Sequence, residues 1–216
     1  MDNKTKGVRI PKQERSIEKK NKIISAGYEL FSEVGYYKTN TAEIAKRAGV
    51  STGIVYGYFR DKKDILVEVI DIYLSNVLAP LFATFNALPT PLDFNAIIPR
   101  VIEFAVDTHK SNAEIHEALH SMTSSDKEVN EKFLSLENNM AETIASSLEK
   151  AGYKGSSLPE KVHIAINTVQ SFAHEYVYDN HPYIDYDKMR ALLIDMLVGL
   201  FTKWLPLKKF HTSNVH

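Results

Sequence analysis

The pentapeptide His116-Glu117-Ala118-Leu119-His120 carries the residue types of a zinc peptidase in the right order. Two histidines four apart share one face of a helix, so both imidazoles can reach one metal ion, with the glutamate between them as general base. Such a site needs a third ligand. No HxxGxxH continuation follows, and no downstream glutamate stands in a recognisable third-ligand setting. A chance match to so short a pattern is expected in roughly a few per cent of chains of this composition. Three readings remain: a zinc-dependent hydrolase, histidines that line a ligand cavity, and ordinary helix histidines, the last being the simplest. No catalytic residue, metal ligand or cofactor is assigned.

A second stretch, "GVSTGIVYGYF" (residues 49–59), points to different chemistry. Three glycines in eleven residues weaken a helix by about 1 kcal/mol each relative to alanine. Yet the stretch sits between two good helix formers, "TAEIAKRAG" and "KKDILVEVIDIYL". On a helical projection of residues 51–60, Ser51, Val55 and Phe59 fall on one side. Gly53, Tyr56, Gly57 and Arg60 fall on the other, with Thr52 and Ile54 at the flanks. That outward face has no acid and little bulk, which suits close approach to base edges in a DNA major groove. A tight turn buried among helices would use the glycines too, but Tyr56, Tyr58 and Arg60 would then need buried partners.

Charge supports the DNA reading. The net charge of −1 over 216 residues divides unevenly. Residues 1–63 hold 14 Lys/Arg against 7 Asp/Glu, and residues 64–216 hold 12 against 20. A basic head on an acidic body suits a polyanionic partner. There is no cysteine, which suits a reducing cytoplasm. The basic N-terminus lacks the apolar core of a signal peptide, and Asp195 interrupts the apolar run near the end. No membrane span is expected.

The elements that must position these residues are helical throughout. Ile23, Gly27, Leu30, Phe31 and Val34 recur at helical spacing from about Arg15, and Gly35 is a stop signal. Asn40 and Glu43 form a capping-box pattern for a short second helix that ends near Gly49. Ser51 opens a third, and Asp61 a fourth that runs from Lys62 towards Ala79 before Pro80. Further helical stretches lie near 93–110, 112–123, 126–151, 159–179 and 187–205. Helix, glycine-containing turn and helix make the helix-turn-helix plan. Its small core is Ile44, Ala45, Ala48, Val50, Val55 and Phe59 against Leu30 and Phe31.

With these elements in place, the segment "IISAGYELFSEVGYYKTNTAEIAKRAGVSTGIVYGYFRDKKDIL" resembles the DNA-binding domain of tetracycline-repressor (TetR) family regulators. The resemblance covers residues 15–70 and rests on "LFxExGYxxT", "EIAKRAGVS" and "YxYFxxKxxL", the last ending here in Ile65. It implies a homodimer in which each subunit has an N-terminal helix-turn-helix and a larger helical sensing domain. It also implies roles. Thr39 or Asn40 matches a phosphate-contacting cap, and Thr52, Gly53, Ile54 and Gly57 match base-facing positions. Tyr56 and Tyr58 match phosphate-binding side chains, and Lys62 matches a lysine on the DNA backbone. Gly57 departs from the aromatic or polar residue common in relatives, and Gly27 from their alanine.

The expectation is therefore an all-α protein of about nine helices. Residues 1–14 form a flexible basic arm, 15–62 the helix-turn-helix, 63–205 the ligand-sensing and dimerisation domain, and 206–216 a tail. The closing helix is apolar nearly all round, so it must be covered on more than one side. The resemblance has the helices near 159–179 and 187–205 pair across a two-fold axis, matching a palindromic operator. Polar residues on apolar helices mark an effector pocket: Asn167, Gln170 and His174, with Phe104, Thr108, Phe133 and Met140 as walls and His116 and His120 as further candidates. The chain is read as a cytoplasmic repressor, not an enzyme, released from double-stranded DNA by a small molecule. The competing readings are the zinc hydrolase and a helical interaction module without DNA activity.

Overall fold

The computed structural model describes residues 14–123 and 125–202, the side chains of Glu117 and His120 excepted. Residues 1–13 of the expected arm and the tail at 206–216 lie outside them. The described residues form nine helices and no strand. These are α1 (Glu14–Glu33), α2 (Thr41–Arg47), α3 (Thr52–Val55), α4 (Lys62–Asn86), α5 (Phe94–Ser111), α6 (Ala113–Thr123), α7 (Lys127–Lys150), α8 (Leu158–Tyr178) and α9 (Tyr186–Thr202).

α1 buries Ile23, Ile24, Gly27, Leu30 and Phe31 on one face. Val34 shares the spacing but is exposed, because the chain turns away at Gly35, whose φ of 89° ends the helix. Gly27 answers to packing. A Cβ there would stand 2.7 Å from Ile65 Cγ2 of α4, so the glycine lets the two helices approach. α2 starts with the predicted capping box: Asn40 Oδ1 accepts from the amides of Ala42 and Glu43, both at 3.0 Å, and Glu43 Oε2 accepts from Asn40 N at 2.9 Å.

α4 does not stop before Pro80; it continues through it to Asn86. A proline inside a helix costs about 3 kcal/mol. Beyond it, Leu81 and Phe85 are buried in the body, and burying such side chains contributes roughly 1.5–3 kcal/mol each. Packing outweighs the break.

Two clusters of buried side chains divide the interior. The body cluster joins the end of α4 to α5, α7, α8 and α9 through residues such as Phe85, Ile102, Leu148, Phe172 and Leu197. The head cluster joins Phe31, Ile44, Val55 and Phe59 to Ile65, Leu66, Val69 and Ile70 of α4, with Ala48 and Val50 packed at its edge. It also takes in Ile115 and Leu119 of α6 and Val129 of α7. The expected boundary at residues 62/63 thus cuts through one continuous core. Tyr37 Oη to Ser121 Oγ at 2.6 Å crosses the same boundary, while Lys63 to Asp126 at 2.9 Å and Lys132 to Asp71 at 2.6 Å tie α4 to the start of α7 beside it. Solvated pairs of this kind contribute little each, so the apolar contacts of α6 dominate.

α9 buries Leu193, Leu197 and Phe201 but leaves Leu192 70% and Met196 51% exposed on its other face. On α8, Ile164 is 49% exposed.

Candidate nucleic-acid interface and effector cavity

The glycine-rich stretch is less helical than its projection predicted. α3 is one turn, and beyond Tyr56 the amides of Gly57 and Tyr58 close three-residue turns onto Ile54 O and Val55 O. Ser51 takes the extended cap conformation without a side-chain cap bond. The segment is anchored from behind, with Val55 and Phe59 buried. Thr52, Gly53, Tyr56 and Gly57 are exposed, while Ile54 and Tyr58 are half-buried.

The two glycines differ. A Cβ on Gly53 would meet nothing closer than Ser51 Oγ at 3.9 Å, whereas one on Gly57 would lie 3.1 Å from the Ile54 carbonyl oxygen. The local fold therefore favours glycine at 57 and leaves open space at 53. An unfilled position on an exposed face held rigidly from behind is a surface shaped for close approach.

Other candidates separate clearly. Between Thr39 and Asn40, Asn40 is the cap. Thr39 is buried, its hydroxyl donating to Gly35 O at 2.9 Å, which corrects its placement on the outer surface. Lys62 also turns inward. Its ammonium donates to Tyr36 O at 2.6 Å and Thr39 O at 2.8 Å and stands 4.1 Å from the Tyr36 ring centroid. Burial lowers its pKa from the usual lysine value. The carbonyls of the α1–α2 loop thus hold the charge that the dipole at the start of α4 disfavours. The Tyr58 hydroxyl lies 2.8 Å from Ser16 Oγ, so it ties α1 to the segment.

Among exposed cations, Arg47 is held by Glu29 and Glu33, and Arg60 by Asp64. Lys38 and Lys46 are exposed and make no ion pair among the described residues. The sequence signal for Lys38 was available: no acid lies within four residues of it.

Two adjoining cavities lie between α4, α5, α7 and α8. The inner one, about 90 Å³, is walled by side chains such as Phe85, Ile98, Phe104 and Val162. The outer one, about 250 Å³, is lined by Tyr73, His116, Asn130, Phe133 and Glu137. They share Val77, Leu78, Thr108, His109, Met140 and Gln170. Of the sequence candidates, Phe104, Thr108, His116, Phe133, Met140 and Gln170 are brought together here. Asn167 is not: it is exposed and bonds to His163 at 3.0 Å, because α8 turns Val162, Val169 and Phe172 inward instead. The side chain of His120 lies outside the described residues.

His174 stands beside the cavities in a ring cluster. His109 and His116 have centroids 4.3 Å apart, and His174 is 5.8 Å from His116. His109 was missed, although Ile102, Ala105, Val106 and His109 recur on the buried face of α5. Its Nδ1 lies 2.8 Å from Ala105 O. Burial lowers its pKa, against the pull of that carbonyl. His116, the first histidine of the zinc-peptidase pattern, is buried in this cluster. Among the described residues no group of three or more His, Asp or Glu is arranged to hold a metal ion.

Residues 23–69 match the model of the bacterial regulatory proteins of the tetR family. The chain is 52% identical over 61 residues to the HTH-type transcriptional regulator HbdR of Aromatoleum sp. (strain CIB), covering 28% of this chain and 25% of HbdR. The chain therefore spans only a quarter of that relative's length. The fold is similar over much more. A TetR-family transcriptional regulator from Mesorhizobium loti aligns over 88% of this chain and 97% of its own, at 18% identity and a TM-score of 0.69. A transcriptional regulator from Saccharomonospora viridis, solved in complex with choline, covers 84% of this chain and 96% of its own, at 18% identity and a TM-score of 0.60. The head thus carries the sequence of the tetR-family regulatory domain, and the helical architecture of the chain is similar to that of these solved regulators.

Proposed function

We propose that this chain is a DNA-binding transcriptional repressor, acting as a cytoplasmic homodimer that leaves a palindromic operator when a small molecule fills the cavities. The observation that carries the reading is Gly53. Its exposed face is open to a neighbour, and the buried Val55 and Phe59 hold it in place. Asn40, Thr52, Ile54, Tyr56 and Gly57 are taken as the remaining contact positions, with Lys38 and Lys46 as cations free to meet phosphates. Lys62 and Tyr58 act behind this surface by fixing the turn and α1. The half-site is read by Thr52, Ile54 and DNA shape, since glycines read no base.

Leu192, Met196 and Ile164 supply the apolar surface for a two-fold partner, burying α9 on its second side. Two heads would then meet two half-sites. Occupancy of the cavities shifts the population towards a dimer whose heads no longer match that spacing. That a regulator of similar fold holds choline supports a small-molecule effector for this architecture. Fluorescence anisotropy with palindromic duplexes from the protein's own promoter region tests the reading. Binding should be tight at low salt and weaken steeply as salt rises.

A further inference from the structure

We propose that the cavities take an elongated apolar molecule ending in a positively charged group, an alkylammonium-type cation, with Glu137 as its counter-ion. The proposal rests on the effector-binding reading and narrows it to a ligand class.

The inner cavity is walled by aliphatic and aromatic side chains. Its polar residues, Thr108, His109 and Gln170, all belong also to the outer cavity. A ligand that fills both therefore has an apolar body within and a polar group towards the outer space. There Glu137 decides the sign of that group. It is the only formally charged side chain lining either cavity among the described residues; no lysine or arginine lines them. Its carboxylate has no ion pair or side-chain hydrogen bond among those residues, and Lys132 of the same helix is held by Asp71 at 2.6 Å.

The helix places this acid deliberately towards the cavity. Phe133, Glu137 and Met140 follow at helical spacing, and all three line the outer cavity, with Met140 lining the inner one too. A half-buried carboxylate between apolar neighbours is a poor choice for packing alone. It becomes favourable when a cation desolvates beside it, and the rings of Phe133 and Tyr73 in the same lining suit a quaternary or protonated amine. An anionic head would instead bring a second negative charge to Glu137. The histidine shared by the two cavities offers no compensating charge near neutrality, since burial lowers its pKa.

Calorimetric titration of the full chain at pH 7.5 with three decyl compounds tests this, with trimethylammonium, hydroxyl and carboxylate heads and each below its micelle concentration. The ammonium compound should bind at least about tenfold more tightly than the carboxylate, with the alcohol between. Glu137→Gln should weaken the ammonium about fivefold or more while leaving the alcohol nearly unchanged, and Glu137→Lys should reverse the order of ammonium and carboxylate. Circular dichroism establishes that both variants are folded. A carboxylate that binds as well as the ammonium, a Glu137→Gln variant with an unchanged ratio, or no binding by any of the three would overturn the assignment. DNA affinity measured without ligand reports separately on the regulator reading, so the two failures are distinguishable.

Discussion

Ile115 and His116 are consecutive residues of α6, yet they belong to different places. Ile115 is fully buried in the head core that also holds Phe31 and Val69, and His116 lines the outer cavity. Adjacent positions of one helix thus connect the cavity to the core that carries the glycine-rich segment. A ligand that moves His116 must move Ile115, and the tightly packed head core will not absorb the shift silently.

Shortening Ile115 tests this connection. Ile115→Val should destabilise the protein by about 1 kcal/mol and leave ligand affinity nearly unchanged. The ligand-induced loss of DNA affinity should shrink several-fold. Parallel titrations of ligand and of DNA in the presence of ligand give both quantities, and an unchanged coupling would assign the transmission to α4 alone.

Gly53 and Gly27 should respond in opposite ways to alanine. Gly53→Ala meets open space and improves helix propensity, so thermal stability should hold or rise by up to about 1 kcal/mol. DNA affinity should fall at least about tenfold. Gly27→Ala forces a methyl against Ile65 and should destabilise the fold by about 1–3 kcal/mol. Denaturant midpoints together with anisotropy separate the two effects.

Lys62→Ala should act through the fold. Removing the ammonium leaves the Thr39 carbonyl without its side-chain donor and Tyr36 O with only the 3.3 Å bond from Thr39 N, a loss of about 1–3 kcal/mol. The salt slope of DNA binding by the folded variant should stay close to wild type, whereas Lys38→Ala should reduce it by about one phosphate contact. Equal slopes for wild type and Lys38→Ala would remove Lys38 from the interface.

Acid should weaken the fold through His109. Burial, aided by the charge of His174, holds its folded-state pKa below the ordinary 6.5, so below that pH the unfolded chain binds the extra proton more readily. Stability is unaffected above about pH 7 and falls as pH drops through 6.5 and below, with a limiting slope of about 1.4 kcal/mol per unit for one proton. Urea midpoints at pH 7.5 and 5.5 should differ less for His109→Gln than for wild type.

Much of this molecule was legible from residue order because its signals are local. Asn40 and Glu43 cap α2 through neighbours three residues apart, Gly35 ends α1 through its own φ, and several breaks between helices fall at glycine or proline. What escaped the sequence depends on partners distant along the chain. Pro80 reads as an end unless the burial of Leu81 and Phe85 is known. Thr39 and Lys62 look like surface residues until the loop at Tyr36 folds over them. The union of α6 with the head core, and the seclusion of Asn167 from the cavity, are set by how helices rotate against one another. Glu137 gave no local sign, since an acid on a long helix is ordinarily solvated.

The face around Gly53 should bind an operator as a two-fold dimer. This is tested most directly by anisotropy titrations of a palindromic promoter duplex across a salt series, with the stoichiometry fixed by sedimentation. Two protomers per duplex are expected, with an affinity that falls by about a thousandfold or more between 50 and 200 mM salt, as six or more phosphate contacts require. Binding by single protomers, a flat salt response, or no preference for any palindrome over random duplex would contradict it.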